Sequence, residues 1–97
     1  MKADQITKTL DDLIETLAAV EHERWSHWQR YVHQHGISQS DGSLVIPADL
    51  VIRWENQIIT PYAELSEREK ESDREQVRKY LPLIVRALAR TDHEDSN

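Results

Sequence analysis

The longest helical pattern of the chain is centred on the run AVEHERWSHW, which occupies residues 19–28. Arg24 stands in the middle of this run, and steps of about 100° per residue place it on the same helix face as Leu17 and Trp28. An arginine on an apolar face needs a carboxylate partner or an anionic ligand, because an unpaired buried charge is costly. The run therefore predicts a helix and makes Arg24 the first candidate functional residue.

Apolar residues recur every three or four positions on both sides of this run. The spacing predicts one long amphipathic helix over residues 4–35, which would span roughly 45 Å at about 1.5 Å per residue. A domain of 97 residues is too small to cover that length. Either the helix breaks near residues 18–19, or its N-terminal part packs on another subunit. We favour the second alternative and predict that residues 1–16 form an oligomerisation extension.

Local signals divide the rest of the chain. Residues 34–43 have the Gly, Ser and Asp content of a loop. Pro47 predicts the start of a second helix, because proline fits the first helical position. Pro61 predicts its end at residues 59–60, because the residue before a proline avoids helical angles. This second helix carries Trp54 on its apolar side.

The third helix is predicted to begin with a capping box formed by Ser66 and Glu69. Pro82 lies inside its apolar pattern, which predicts a kink or a division of the helix. Residues 91–97 are polar and are predicted to fray. The sequence therefore predicts a single all-α domain over residues 1–97: a small bundle of three to four helices, with a long N-terminal helix and a third helix kinked at Pro82.

Charge and composition exclude several functional classes. The net charge of −6 disfavours a nucleic-acid polymer as partner, because the overall field repels it. The chain has no cysteine, which excludes disulfides and thiolate metal sites and predicts a reducing, cytoplasmic location. No segment approaches the ~18 apolar residues of a membrane span, and no signal peptide is predicted.

Metal binding and catalysis lack a sequence signature. His22 and His27 are five positions apart, so a straight helix points them about 140° away from each other and cannot offer both to one zinc ion. No nucleophile elbow, phosphate loop or dinucleotide fingerprint is present. We therefore predict a protein that is not an enzyme and that uses no cofactor.

Arg24 has two interpretations. A guanidinium pairs bidentately with carboxylate or phosphate, and Trp25 or Trp28 offers a stacking face, which together predict a pocket for an anionic ring compound. The alternative is an internal salt bridge from Arg24 to Glu64 or Asp73. Residue chemistry alone favours the salt bridge.

Two motifs resemble those of the RyR domain, a family named after ryanodine receptors that also occurs in bacterial and phage proteins. The first is LAAVEHERW at residues 17–25, and the second is PYAELSEREKESDR at residues 61–74. RyR domains usually have a Gly-Trp step and a nearby Tyr-Gly after the first helix. Here Ile37 follows Gly36, and a Ser-rich loop and an extra helix with Trp54 fill the interval, as in small stand-alone phage or prophage members.

The resemblance implies a compact, mainly helical, non-enzymatic module. In bacteria, RyR domains are associated with nucleotide-linked signalling and conflict systems, so it implies a sensor or sequestering protein for an anionic nucleotide-derived ligand. The residues expected to bind this ligand are Arg24, Trp25, His22, Tyr62, Lys70, Arg74 and Trp54, and those expected to support them are Asp73, Glu21 and Glu64.

A second function is weighed against this one. The N-terminal apolar stripe is also suited to a protein-interaction or scaffold module that docks through its N-terminal helix, with Arg24 as a structural salt-bridge partner. Under either reading we expect a homo-oligomer.

Overall fold

The computed structural model describes the backbone of residues 1–95. Helices make up 78% of the chain, which confirms its mainly helical character. In chain order the elements are α1 (Ala3–Asp11), α2 (Ile14–His35), β1 (Ile37–Ser38), β2 (Leu44–Val45), α3 (Ala48–Ile59), a 3₁₀ turn at Tyr62–Glu64, and α4 (Glu67–Asp95). None of the helices in the described part has the length and apolar content that crossing a membrane requires.

The single helix predicted over residues 4–35 is corrected: α1 ends at Asp11 and α2 begins at Ile14. At the junction the Leu13 N–H donates to the Leu10 carbonyl at 3.0 Å, a contact of the tighter 3₁₀ type. The aspartates at positions 11 and 12 give a physical reason, because a carboxylate opposes the dipole where a helix ends and suits the dipole where one begins. The break lies at residues 12–13, whereas the alternative prediction had placed it at residues 18–19.

The chain folds as two compact units, and each is described separately. Unit 1 contains residues 1–24 and 73–97, and unit 2 contains residues 25–72. The predicted fraying of the tail falls on residues 91–95, which α4 includes, and on residues 96 and 97, which lie outside the described residues.

Unit 1 is an antiparallel pairing of the N-terminal helices with the second half of α4. The Oγ1 atoms of Thr9 and Thr91 are 3.1 Å apart, and the Tyr80 hydroxyl donates to the Glu21 carboxylate. Because all helices rise equally per residue, these two contacts set the register and place residue 13 level with residue 87. Leu13 and Ala87 are the two buried apolar side chains of the described residues, with 8% and 5% of their surface exposed.

α4 passes through Pro82 without ending. A proline inside a helix removes one N–H donor and crowds the carbonyl four residues earlier. The division of this helix is therefore excluded, whereas the kink at Pro82 stays a prediction.

The predicted capping box opens α4. The Glu69 N–H donates to Ser66 Oγ at 3.2 Å, and Ser66 Oγ donates to Glu69 Oε1 at 2.8 Å. The Ser66 N–H completes the exchange by donating to the same carboxylate at 3.4 Å. Both donors at this helix end are satisfied locally, which confirms where the third predicted helix begins.

Unit 2 contains a short hairpin that the sequence had predicted as a loop over residues 34–43. The register pairs Ile37 with Val45 and Ser38 with Leu44 in antiparallel order. Gly42 adopts a φ of +88°, a left-handed value that glycine adopts without steric cost. Asp41 Oδ1 accepts from both the Ser43 N–H at 2.9 Å and its hydroxyl at 2.6 Å. The Asp-Gly pair is a hairpin signal, and apolar residues on both sides of it complete the pairing.

Aromatic rings join α2 to α3 within unit 2. The rings of Trp28 and Tyr31 stack with centroids 5.5 Å apart, and Trp54 meets Trp28 edge-on at 5.4 Å. α3 itself begins directly after Pro47 and ends before Pro61, which confirms the second predicted helix. The aromatic contacts fix which side of α3 faces α2.

Candidate functional site

Arg24 is half-exposed on α2 and pairs with Glu21 of the same helix. Arg24 Nε donates to Glu21 Oε2 at 3.1 Å, and a second guanidinium N–H donates to Oε1. The two side chains are 46% and 49% exposed. The ion-pair partner of Arg24 is therefore Glu21, three positions earlier, which a helix places alongside it. Of the two partners that the sequence had predicted, Asp73 belongs to the same unit and is not the one, and Glu64 belongs to unit 2.

This pair is part of a three-residue network with Tyr80. The Arg24 guanidinium and the Tyr80 hydroxyl both donate to the ionised Glu21 carboxylate and lower its pKa to about 2. The hydrogen bond to Glu21 in turn raises the pKa of Arg24 and the pKa of Tyr80. The network connects α2 with α4 inside unit 1, and Glu21 holds the Nε side of the guanidinium in the bidentate geometry that an anionic ligand would also use.

The predicted site residues divide between the two units. His22, Arg24, Asp73, Arg74 and Glu21 belong to unit 1, whereas Trp25, Trp54, Tyr62, Glu64 and Lys70 belong to unit 2. Within each unit only some of them are brought into contact, as the network around Arg24 shows for unit 1.

In unit 2 the structure brings Tyr62 and Lys70 together. Lys70 Nζ lies 5.9 Å from the centre of the Tyr62 ring and 3.5 Å from a carboxylate oxygen of Glu67. Trp54 packs into the aromatic contacts with Trp28 and lies half-buried. Trp25 is 55% exposed and lines a shallow groove along α2.

A cleft of about 700 Å³ opens inside unit 2, and none of the seven residues predicted to bind ligand lines it. Its volume is within the range of about 300–1,000 Å³ that is typical of small-molecule sites. α3 contributes Arg53, Asn56 and Gln57; the connector and the start of α4 contribute Thr60, Glu64, Leu65, Ser66, Arg68, Glu69 and Ser72; and Tyr31 completes the lining from α2. Glu64 is thus the one lining residue that the sequence had predicted to support the site.

Two guanidinium groups line this cleft. Arg53 donates to the Tyr31 hydroxyl at 3.1 Å, which orients its side chain from α3. Arg68, on the first turn of α4, is exposed and makes no hydrogen bond or ion pair through its side chain with any residue of the described part. The cleft therefore holds one oriented and one unpaired cation on different elements.

Two carboxylates, Glu64 and Glu69, line the cleft with these cations, and they differ in their hydrogen bonding. Ser66 and Gln57 donate to Glu69 and, with the nearby charge of Arg53, lower the pKa of Glu69. Glu69 is therefore ionised and already hydrogen-bonded. Glu64 retains its oxygens as acceptors for an incoming N–H or O–H group.

A polar stripe on α3 is the signal that the sequence interpretation missed. Arg53, Asn56 and Gln57 follow each other at steps of three and one, which places them on one side of α3, and Thr60 follows directly after the helix end. The sequence interpretation assigned a role only to the apolar side of this helix, so it gave the polar stripe none. Metal binding gains no support here, because no three His, Asp or Glu side chains within the described residues are close enough to share an ion.

Comparison of the chain with protein-family models, with curated proteins and with solved structures finds no match. The resemblance to RyR domains stays a prediction that depends on two motifs. The second motif, residues 61–74, bears directly on the cleft, because six of the lining residues lie within it. The longer of the two motifs therefore coincides with one wall of the cleft.

Proposed function

We propose that the chain is a non-enzymatic binding module that captures a small, anionic, nucleotide-derived molecule in the unit 2 cleft. The observation that carries this proposal is that the unpaired guanidinium of Arg68 and the guanidinium of Arg53 line the same cleft of about 700 Å³. The proposal includes membership of the RyR family, a cytoplasmic location, and a role as a sensor or a phage-type sequestering protein. It also includes a homo-oligomeric state.

The cleft offers the groups that a nucleotide requires. Guanidinium forks bind phosphate bidentately, and their charge-assisted hydrogen bonds are about twice as strong as neutral ones. Glu64 and Asn56 offer acceptors and donors for ribose hydroxyls or base N–H groups. The Tyr31 ring gives an apolar surface, so the set suits a ligand with both an anionic and a hydrogen-bonding part.

The bound anion is therefore placed at Arg68 and Arg53, and not at Arg24 as the sequence had predicted. The guanidinium of Arg24 already holds Glu21, so a phosphate there would compete with an existing ion pair. Tyr62 and Lys70 remain in the proposed set because they belong to the same connector and the same first turns of α4.

A thermal-shift panel tests the proposal. The panel contains mononucleotides, cyclic mono- and dinucleotides and ADP-ribose derivatives, each added to the intact chain. A ligand at about 100 times its dissociation constant stabilises the folded state by about 2.7 kcal/mol. For a domain of this size, that is a rise in Tm of several degrees.

Matched variants locate the binding. We expect Arg68→Ala and Arg53→Ala to remove the ligand-dependent rise in Tm, whereas Arg86→Ala, an exposed arginine of α4 outside the cleft, should keep it. The proposal is wrong if no compound shifts the wild-type chain. It is also wrong if the shift persists in both cleft variants.

The protein-interaction module is the second candidate, and two exposed apolar side chains favour it. Leu10 is 36% exposed and Ile14 is 57% exposed at the junction of α1 and α2. The ion pair between Arg24 and Glu21 also fits this candidate, because it gives Arg24 a structural partner. Leu13, however, is already buried inside unit 1, so the N-terminal stripe offers less free apolar surface than the sequence suggested.

A charge introduced at Ile14 tests this candidate by solution mass. Docking through the N-terminal helix predicts that Ile14→Glu lowers the mass of the assembly, whereas Thr16→Glu, at an exposed polar position nearby, leaves it unchanged. Equal masses for wild type and Ile14→Glu would rule out this surface.

A further inference from the structure

α3 has an exposed apolar side that neither the aromatic contacts nor the cleft uses. We name it the α3 face: Val51, Ile52, Ile58 and Ile59, which are 41%, 62%, 74% and 76% exposed. Spacings of three and four positions place Glu55 in the middle of these four side chains. A set of large aliphatic side chains this exposed marks an interaction surface.

The middle of α4 carries another uncovered apolar surface. We name it the α4 stripe: Val77, Leu81 and Val85, which are 52%, 49% and 63% exposed and follow each other at steps of four. Arg78, three positions before Leu81, lies beside the stripe and brings a positive charge to its edge.

The two surfaces are complementary in length, chemistry and charge. Each extends over nine residues of a helix, from Val51 to Ile59 and from Val77 to Val85, a rise of about 12 Å. One carries a carboxylate at its centre and the other carries a guanidinium at its edge. We propose that the α3 face of one copy of the chain docks on the α4 stripe of a second copy, with Glu55 against Arg78 of that copy.

A symmetric pairing of the α3 face with itself fits less well. Glu55 lies midway between Val51 and Ile59, so antiparallel α3 helices related by a two-fold axis would bring two Glu55 carboxylates together. Like charges facing each other across an interface oppose association. The contact is therefore heterologous, with different surfaces meeting, and such contacts build closed rings or open chains of subunits.

A mixing experiment tests this arrangement by analytical ultracentrifugation. Ile58→Glu blocks the α3 face and Leu81→Glu blocks the α4 stripe, and both positions are at least about half exposed, so helix content by circular dichroism should be unchanged. Wild type should associate as concentration rises, whereas each variant alone should be monomeric. An equimolar mixture should form dimers, because it contains one intact copy of each surface.

Several results would overturn the proposal. Wild type that stays monomeric at every concentration shows that these surfaces have no copy of the chain as partner. A mixture that stays monomeric shows that the contact is not between the α3 face and the α4 stripe. Association of either blocked variant alone shows that another surface holds the copies together.

Charge reversal tests the proposed ion pair. Glu55→Arg and Arg78→Glu should each raise the dissociation constant about tenfold or more, and the double variant should recover much of the loss. Glu23→Arg makes the same change of net charge as Glu55→Arg at an exposed position of α2 and serves as its control. Equal weakening by Glu23→Arg, or no recovery in the double variant, would contradict the pairing. None of these residues lines the cleft, so this test and the ligand test fail independently.

Discussion

The replacement Leu13→Ala tests the packing of unit 1. Leu13 is 8% exposed and lies level with Ala87 in the antiparallel register, so this side chain is the main apolar contribution to the unit's core. Truncating a buried leucine costs about 2–5 kcal/mol, and the lower half of that range applies where the site can relax or admit water. With few buried neighbours in this unit, we expect a loss of about 2–3 kcal/mol.

The expected loss is large enough to measure by thermal unfolding. In a domain of this size, about 1 kcal/mol shifts Tm by roughly 4–8 °C, so Leu13→Ala should lower Tm by about 8–24 °C. Circular dichroism at 222 nm, at one fixed protein concentration, follows the helix signal of both units.

Ile14→Ala is the matched control. The side chain is the next in sequence but is 57% exposed, so its truncation should change the free energy of unfolding by about 0.5 kcal/mol. Equal losses at the two positions, or a negligible loss at Leu13, would refute the register that places Leu13 in the core.

Three further variants probe other parts of the structure. Glu21 has a folded-state pKa of about 2, below its ordinary 4.5, so its interactions stabilise the fold above pH 4.5 and are lost as pH falls toward 2. The Tm difference between wild type and Glu21→Gln should therefore be full at pH 7 and close between pH 4.5 and 2; a difference independent of pH contradicts the network with Arg24 and Tyr80. Ser66→Ala should cost about 1 kcal/mol in urea unfolding through loss of the α4 cap, whereas Ser40→Ala in the exposed hairpin turn should not, and equal effects would argue against the cap. Ala87→Leu should cost about 1–3 kcal/mol by overpacking opposite Leu13, and an unchanged Tm would show that this position is not tightly packed.

The helix boundaries near proline and serine were predictable because the signals are local. Pro47 and Pro61 restrict the backbone at their own positions, and Ser66 with Glu69 satisfies the donors of its own helix end. None of these effects depends on distant parts of the chain, so the predicted starts of α3 and α4 agree with the structure.

The break between α1 and α2 and the hairpin were missed for the opposite reason. At the break, one 3₁₀-type contact changes the hydrogen bonding while the apolar periodicity continues through it, so a pattern search registers no change. The hairpin strands have two residues each, which is too short for an alternating pattern to be recognised.

The candidate site could be predicted from the sequence only in part. Residues 61–74, the second motif, contribute six lining residues to the cleft, but Tyr62, Lys70 and Arg74, which the motif predicted to bind ligand, are not among them. The opposite wall is the polar stripe of α3, and which side of α3 faces this motif depends on how Trp54 packs on Trp28. That packing is a tertiary contact, so spacing along the chain does not reveal it. The salt-bridge partner of Arg24 is Glu21, three positions away on the same helix, whereas the sequence interpretation assigned more distant carboxylates.

Mapping the ligand by NMR tests the proposed binding site most directly. The compound that raises Tm most is titrated into ¹⁵N-labelled chain, and amide shifts are followed residue by residue. We predict that the largest changes fall between Arg53 and Thr60 and between Ser66 and Ser72, with little change at Glu21 and Arg24. Changes centred on Glu21 and Arg24 would instead show that the ligand binds at Arg24 on α2. The absence of any saturable change would contradict a ligand-binding function.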